Sequence, residues 1–141
     1  MLRYFTYSRK SSEDKERQIL SIDAQQSELR QIAQASELRV IDNFEESRSA
    51  KESGRTEFNE MLRRIERGEA DAILTWKLDR LARNFEDGGK IIGLLQRGVI
   101  REIRTFEKTY LPSDNVLLIA VEFGMANQYV RDLSLKLTRM L

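Results

Sequence analysis

The fold of this 141-residue chain is decided around Tyr7-Ser8-Arg9-Lys10-Ser11-Ser12. The residues that lead into this stretch, 2–7, are rich in aromatic and β-favouring side chains, which predicts a first strand that is buried or half-buried. The sequence then turns polar, at the carboxyl end of the strand, where open α/β sheets place their binding crevices. A serine close to an arginine suggests a nucleophile beside an anion-binding group. Taken alone, the stretch favours a plainer interpretation, in which Ser11 or Ser12 caps the next helix.

Composition excludes several kinds of site. The chain has no cysteine, which excludes disulfides, zinc–thiolate sites and cysteine nucleophiles. It also has no histidine, so any serine chemistry must proceed without a Ser-His-Asp triad. No run approaches the roughly 18 apolar residues of a membrane span, and the start of the chain is no signal peptide. We therefore expect one soluble, cytoplasmic domain without a membrane partner.

The charge balance limits the ways in which the chain could meet nucleic acid. Its formal net charge is +1, with charged residues at 33% of the sequence. The chain as a whole is therefore not a strongly basic domain. If it binds nucleic acid, either its cations cluster locally or another region supplies most of the affinity.

Strand-like and helix-like patterns alternate along the chain. Further strands are predicted at residues 39–44, 70–76 and 99–106, with a short extra strand at 108–111. Helices are predicted at residues 18–35, from Phe58 to a stop at Gly68, and through Ile91 to a stop near Gly98. The alternation predicts an α/β fold whose mainly parallel sheet of four to five strands is flanked by helices.

A last helix is predicted from Asn115 to the end of the chain, capped by Ser113 or Asp114. Residues 116–121 are apolar almost all the way round, whereas a helix that lies on one domain needs only one apolar face. The surplus favours a second partner, most simply another copy of the protein. The alternative is a fully buried core helix. Because no residue typical of a helix end follows, we expect more protein beyond the chain.

A second charged stretch follows the third predicted strand and contains Lys77, Asp79, Arg80 and Arg83. If the first and third strands are neighbours, this stretch lies beside Arg9 and Ser11, and the arginines at i and i+3 share a face of any helix that starts there. Three guanidinium groups around one hydroxyl concentrate like charge, which a phosphodiester would relieve. The alternative is that these arginines pair with carboxylates on a solvated face, namely Asp79, Glu86 and Asp87.

Together the two stretches resemble known motifs. Residues 7–12 resemble the Tyr-x-Arg-x-Ser-Ser/Thr motif of the serine recombinases, which include resolvases, invertases and large serine integrases. Lys77-Leu78-Asp79-Arg80-Leu81-Ala82-Arg83 is similar to the Asp-Arg-Leu-x-Arg motif of that family. Ser21-Ile22-Asp23-Ala24-Gln25 and the loop that ends at Gly54-Arg55 fall where the family has matching stretches. The resemblance covers nearly the whole chain, and residues 45–84 look most like the large integrase and transposon branch.

The resemblance implies a site-specific recombinase. Ser11 would attack a DNA phosphodiester to give a 5′-phosphoseryl bond and a free 3′-hydroxyl, with no ATP, metal or other cofactor. The implied catalytic residues are Ser11, Arg9, Arg80, Arg83, Asp79, Arg55 and Gln25. The implied DNA contacts are Lys77, Arg131 and Tyr7. The family often has glutamate directly before the arginine that matches Arg131, where this chain has Val130.

The resemblance also implies an organisation and partners. Residues 1–112 would form a resolvase-like catalytic core, and residues 113–141 would begin a long dimerisation helix ahead of a DNA-binding region. The implied partners are double-stranded DNA and further copies of the chain, as a dimer that becomes a tetramer at synapsis. An accessory protein that sets direction is a further expected partner. Such a protein is encoded by a bacterium, a phage or another mobile element.

Other functions remain alternatives. A nucleotide-binding domain predicts a glycine-rich loop after the first strand, but no glycine precedes Gly54. A metal-dependent nuclease would use Glu45, Glu46 and Asp79, whose spacing fits no common pattern. Tyrosine recombinase chemistry normally involves a histidine. The most serious alternative is a non-enzymatic dimerisation module of a DNA-binding regulator, which explains the last helix but not the paired serine and arginine stretches.

Overall fold

The computed structural model describes residues 1–9, 21–46, 56–82 and 85–127. For residues 56, 79, 85 and 122–127 it describes the backbone alone. The elements follow the order β1 (Arg3–Arg9), α1 (Ile22–Ala35), β2 (Arg39–Glu46), α2 (Thr56–Glu66), β3 (Ala72–Thr75), α3 (Leu78–Leu81), α4 (Phe85–Gln96), β4 (Glu102–Arg104), β5 (Thr109–Tyr110) and α5 (Val116–Asn127).

The described strands form one sheet in the order β2-β1-β3-β4-β5. β1 pairs in parallel with both β2 and β3, and β3 pairs in parallel with β4. β5 pairs antiparallel with β4. The predicted α/β fold class, the mainly parallel sheet and the adjacency of the first and third strands are confirmed. The carboxyl ends of β1 and β3 therefore meet at one edge of the sheet.

The sheet is covered on both faces, as a mainly parallel sheet requires. Tyr7 of β1 belongs to the larger apolar cluster, where its ring meets that of Phe58 of α2 edge-on, with the centroids 5.9 Å apart. Tyr4 of β1 belongs to a smaller cluster with Leu29 of α1 and Leu74 of β3. Since successive strand residues point to opposite faces, α1 covers one face and α2 the other.

β1 continues two residues beyond its predicted end at Tyr7. In the parallel ladder Ser8 lies opposite Glu45, and Arg9 lies opposite Glu46. This pairing also carries β2 two residues further than predicted, because each strand supplies the other with backbone hydrogen bonds. Arg9 therefore belongs to the sheet and not to a loop.

β3 and β4 are shorter than the strands predicted at residues 70–76 and 99–106. The amide of Val99 donates to the carbonyl of Leu94 at 3.0 Å, so the first residues predicted as strand complete the end of α4. Thr105 lies in a turn that is held by its own hydroxyl group. Both ends of the fourth strand are thus replaced by turns.

α1 starts later than predicted. Ser21 has extended backbone angles, and its hydroxyl accepts a hydrogen bond from the amide of Ala24 at 3.1 Å, which makes it the N-cap. The prediction that the helix runs unbroken from residue 18 is therefore wrong, because a capping residue is not helical. Residues 18–20 lie outside the described residues.

α5 is capped by a different residue from those predicted. Asn115 Oδ1 accepts from the amide of Leu117 at 2.8 Å, whereas the carboxylate of Asp114 accepts from the amide of Leu111 in the preceding turn. The helix places Ile119 in the larger core cluster. Among the described residues no helix has both the length and the apolar character to cross a membrane.

A buried polar network ties β1 to β4. The hydroxyl of Tyr4 donates to Glu102, and Arg104 Nε donates to the same carboxylate oxygen at 3.0 Å. Tyr4 and Glu102 are both buried. Burial, followed by the hydrogen bond to the Glu102 carboxylate, raises the pKa of Tyr4 to about 12.

We expect Tyr4→Phe to change how stability depends on alkaline pH. The neutral phenol contributes stability that is fully present below the unfolded pKa, about 10, and is lost as the pH rises towards about 12. At pH 9 the variant should be less stable by about 1 kcal/mol, the usual net value of a hydrogen bond. The difference should shrink above about pH 10. Urea unfolding of both proteins across this range measures it, and a constant difference would contradict the shifted pKa.

Candidate active site

Two arginines predicted to bind phosphate lie at the carboxyl edge of the sheet. Arg9 ends β1 and is 2% exposed, and Arg80 in α3 is 3% exposed. α3 follows β3, the neighbour of β1, and packs against β1. Arg80 and Asp87 are both buried, so the alternative is wrong in placing Arg80 on a solvated face, whereas burial does not decide whether the two side chains pair.

The backbone position of Arg80 is fixed by the residues on either side of it in the single turn of α3. Leu78 and Leu81 are buried in the larger core cluster. The amide of Arg80 donates to the carbonyl of Lys77 at 3.0 Å, and the amide of Ala82 donates to the carbonyl of Leu78 at 3.1 Å. The sequence folds this way because two leucines flank a short polar pair, so burial of the leucines fixes the backbone of the residues between them.

The expectation that Arg80 and Arg83 share a face holds only if one helix carries both, and the helix that starts here ends too early. α3 ends at Leu81, and Ala82 has an extended backbone with φ −123° and ψ 136°. A helical i, i+3 relation therefore does not hold between the two arginines. Arg83 itself lies outside the described residues.

Gln25, which the resemblance implies as a catalytic residue, lies on α1 and contacts Arg9 directly. It is fully buried, and its side-chain amide bonds to both backbone groups of Arg9. Gln25 Nε2 donates to the Arg9 carbonyl at 2.9 Å, and the Arg9 amide donates to Gln25 Oε1 at 3.3 Å. Gln25 therefore fixes the backbone from which the guanidinium of Arg9 extends.

Glu46 is a neighbour of the site that sequence reasoning weighed only as a metal ligand. It is 3% exposed and lies opposite Arg9 in the parallel ladder. Its Oε2 accepts from the amide of Glu57 at 3.0 Å, which satisfies one free donor at the start of α2. The position of Arg9 opposite an acidic residue could have been predicted from the sequence only if the register of β1 and β2 had been known.

The geometry does not favour the arrangement suggested for a magnesium site. Glu45 is exposed and accepts from Gln26 and Asn43, whereas its neighbour Glu46 is buried beside α2. Consecutive strand residues point to opposite faces, so the two carboxylates diverge. Across residues 1–9, 21–46, 56–82 and 85–127, no three acidic residues cluster closely enough to hold a metal ion.

The remaining predicted site residues are less fully described. Tyr7 is fully buried in the core, and Lys77 is half-buried just before α3. Asp79 is described only as part of the backbone of α3. Four residues lie outside the described residues: Ser11, Arg55, Arg83 and Arg131.

The family sequence profile described as "Resolvase, N terminal domain" matches residues 4–139. The chain belongs to the resolvase family. It is thus the N-terminal domain of a serine recombinase, an enzyme that acts on DNA in site-specific recombination. The family and the enzyme class predicted from the two motifs are confirmed.

Solved structures share the fold of this resolvase domain. The N-terminal catalytic domain of TP901-1 integrase is 23% identical with a TM-score of 0.63, over 93% of this chain and 98% of that chain. A resolvase family site-specific recombinase from Streptococcus pneumoniae is 22% identical with a TM-score of 0.65, over 99% and 94%. The C-terminal catalytic domain of ISC1926 TnpA, an IS607-like serine recombinase, is 24% identical with a TM-score of 0.57, over 76% and 71%. No curated protein sequence matches the chain.

Proposed function

We propose that Ser11 is the nucleophile of this recombinase and that Arg9 and Arg80 bind the phosphate that it attacks. The observation that carries the proposal is that both arginines are buried at one edge of the sheet. Arg9 is also only two residues from Ser11 in the sequence. The carboxyl edge of a mainly parallel sheet is where α/β proteins place their ligand-binding crevices. The fork of arginine donors matches the oxygens of a phosphodiester.

The chemistry needs no histidine. Ser11 Oγ forms a bond to phosphorus, the bond from phosphorus to the 3′-oxygen breaks, and a proton passes from the serine hydroxyl to solvent or a base while the 3′-oxygen gains one. The products are a 5′-phosphoseryl link and a free 3′-hydroxyl. The link keeps the energy of the broken bond, so the reverse step rejoins a strand without ATP.

The proposed role of the arginines is to stabilise negative charge on the phosphate, and not to transfer a proton. Phosphoryl transfer is catalysed mainly by positioning and by stabilising charge on the equatorial oxygens. Arginine cannot take the serine proton, because its pKa exceeds about 12. Asp79 would orient the arginines or move the proton, and Arg55 and Arg83 would complete the phosphate site. Gln25 contributes by positioning Arg9, and Lys77 and Arg131 would supply further DNA contacts. Tyr7 is fully buried in the core, so the DNA contact implied for it is not part of the proposal.

Self-association is a second part of the proposal. On α5, Ile119 is buried while its neighbours Leu117 and Leu118 are 62% and 61% exposed. Two large apolar side chains on one helix favour burial against another copy of the chain. Residues 113–141 would thus begin the interface of a dimer that pairs into a tetramer at synapsis, on a catalytic core of residues 1–112. Membership in an enzyme family disfavours the alternative of a purely structural dimerisation module.

Trapping the covalent intermediate tests the nucleophile. The protein is mixed with DNA that carries its recombination site, quenched with denaturant during the reaction, digested and analysed by mass spectrometry. We expect a nucleotide on Ser11. A nucleotide on Ser12 or on a tyrosine would overturn the assignment of the nucleophile, and cleavage without any adduct would indicate direct hydrolysis and overturn the mechanism.

A further inference from the structure

An aromatic pair lies at the carboxyl edge of the sheet, the edge at which Arg9 and Arg80 also lie. The rings of Trp76 and Phe106 are stacked, with centroids 5.4 Å apart and planes 16° apart. Lys77 Nζ lies 4.9 Å from the centroid of the Trp76 ring and 5.5 Å from that of Phe106. We call these three side chains the aromatic ledge.

The ledge is built on the ends of two adjacent parallel strands. Trp76 follows β3 directly, and Phe106 comes two residues after β4. The Phe106 amide donates to the Trp76 carbonyl at 3.2 Å, which joins the two strand ends. Trp76 also packs against the smaller core cluster. The two rings are therefore held in place by the sheet and not by a loose loop.

The ledge is more exposed than a core contact requires. Phe106 is 46% exposed, and the side chain of Lys77 is 38% exposed. The ion pair of Lys77 with Glu107 spans 3.8 Å between half-exposed or exposed groups, a geometry that contributes little to stability. Aromatic rings beside a weakly held cation suit a ligand with both a flat face and a negative charge.

We propose that the aromatic ledge stacks on a nucleobase at the broken end of the DNA strand while Lys77 contacts the adjacent backbone. This rests on the proposed function, because breaking a strand leaves a terminal base that has lost one stacking neighbour. Trp76 and Arg80 both follow β3, four residues apart in sequence, so a phosphate at Arg80 and a base at the ledge would belong to the same DNA end. An intact duplex offers no free base face, so the ledge acts after cleavage.

The only tryptophan of the chain, Trp76, reports on this contact directly. The experiment uses the chain with Ser11→Ala, so that binding is measured without cleavage. Tryptophan emission is titrated with two duplexes of the same sequence: a dumbbell closed by a loop at each end, and a hairpin whose one open end carries a short single-stranded extension. We expect the extended duplex to quench the emission, to protect Trp76 from acrylamide and to bind at least about fivefold more tightly, as base–aromatic stacking allows.

Substitution separates stacking from general attraction to DNA. Phe106→Leu keeps an apolar side chain but removes the ring, so the preference for the extended duplex should disappear. Val40→Ala is the matched control, because Val40 is a partly exposed apolar residue on the outermost strand β2 and its loss should leave the preference intact. Equal binding of both duplexes, an unchanged Trp76 emission or a preference that survives Phe106→Leu would each overturn the proposal. Lack of an adduct on Ser11 would instead overturn the proposed function, since the titration does not depend on cleavage.

Discussion

Replacing Arg80 by alanine is expected to slow DNA strand cleavage by about two to three orders of magnitude, the usual effect of removing one preorganised donor from a charge-stabilising site. Arg80 is 3% exposed, so in the proposed site its guanidinium would meet the phosphate in surroundings that screen charge weakly. Arg80→Lys should recover only part of the rate, because lysine keeps the charge but loses the two-pronged geometry. Single-turnover cleavage of the recombination site, followed on denaturing gels, measures both effects.

The control separates loss of catalysis from loss of folding. α3 is held by Leu78 and Leu81, so the variant should retain its circular dichroism spectrum and its binding to DNA. Arg97, exposed near the end of α4, offers a matched arginine outside the site, and Arg97→Ala should leave the cleavage rate within about twofold, as for most surface substitutions. A rate for Arg80→Ala close to that of the parent protein would exclude Arg80 from the phosphate site.

The sheet and its functional edge could be predicted because they depend on patterns local in sequence. Residues 2–7 and the apolar run around Ile73 each predict a strand, and polar residues follow both. Parallel strands separated by helices then bring the two polar stretches to one edge. The motif around Ser11 added the family, which composition alone does not specify.

Tertiary contacts explain what the sequence did not predict. The bond between Gln25 and the backbone of Arg9 joins positions 16 residues apart, and no periodicity distinguishes a buried glutamine from an exposed one. α3 ends after one turn because Leu81 and Ala82 are drawn into the core, which overrides the helical continuation towards Arg83. The stacking of Trp76 on Phe106 depends on the pairing of β3 with β4, which local patterns leave open.

Replacing Gln25 by leucine is expected to lower both the stability of the domain and the rate of cleavage. Leucine fills a similar volume but leaves the buried amide and carbonyl of Arg9 without their partners. Each unsatisfied group costs about 1–3 kcal/mol, so for the two groups we expect a loss of about 2–6 kcal/mol in the free energy of unfolding. Urea unfolding measures this loss.

If Gln25 positions Arg9 for catalysis, one of its variants should show a pH-dependent cleavage rate that a purely stabilising role does not predict. Gln25→Glu keeps an acceptor for the Arg9 amide but loses the donor to the Arg9 carbonyl when ionised. Its cleavage rate should therefore recover as the pH falls and the carboxyl group is protonated, because the acid form can donate again. Gln26→Leu is the matched control, since Gln26 bonds only to exposed Glu45 among the described contacts, and it should change stability by less than about 0.5 kcal/mol. If Gln25→Glu cleaves at one rate at every pH while remaining folded, the bond to the Arg9 carbonyl does not position the arginine for catalysis.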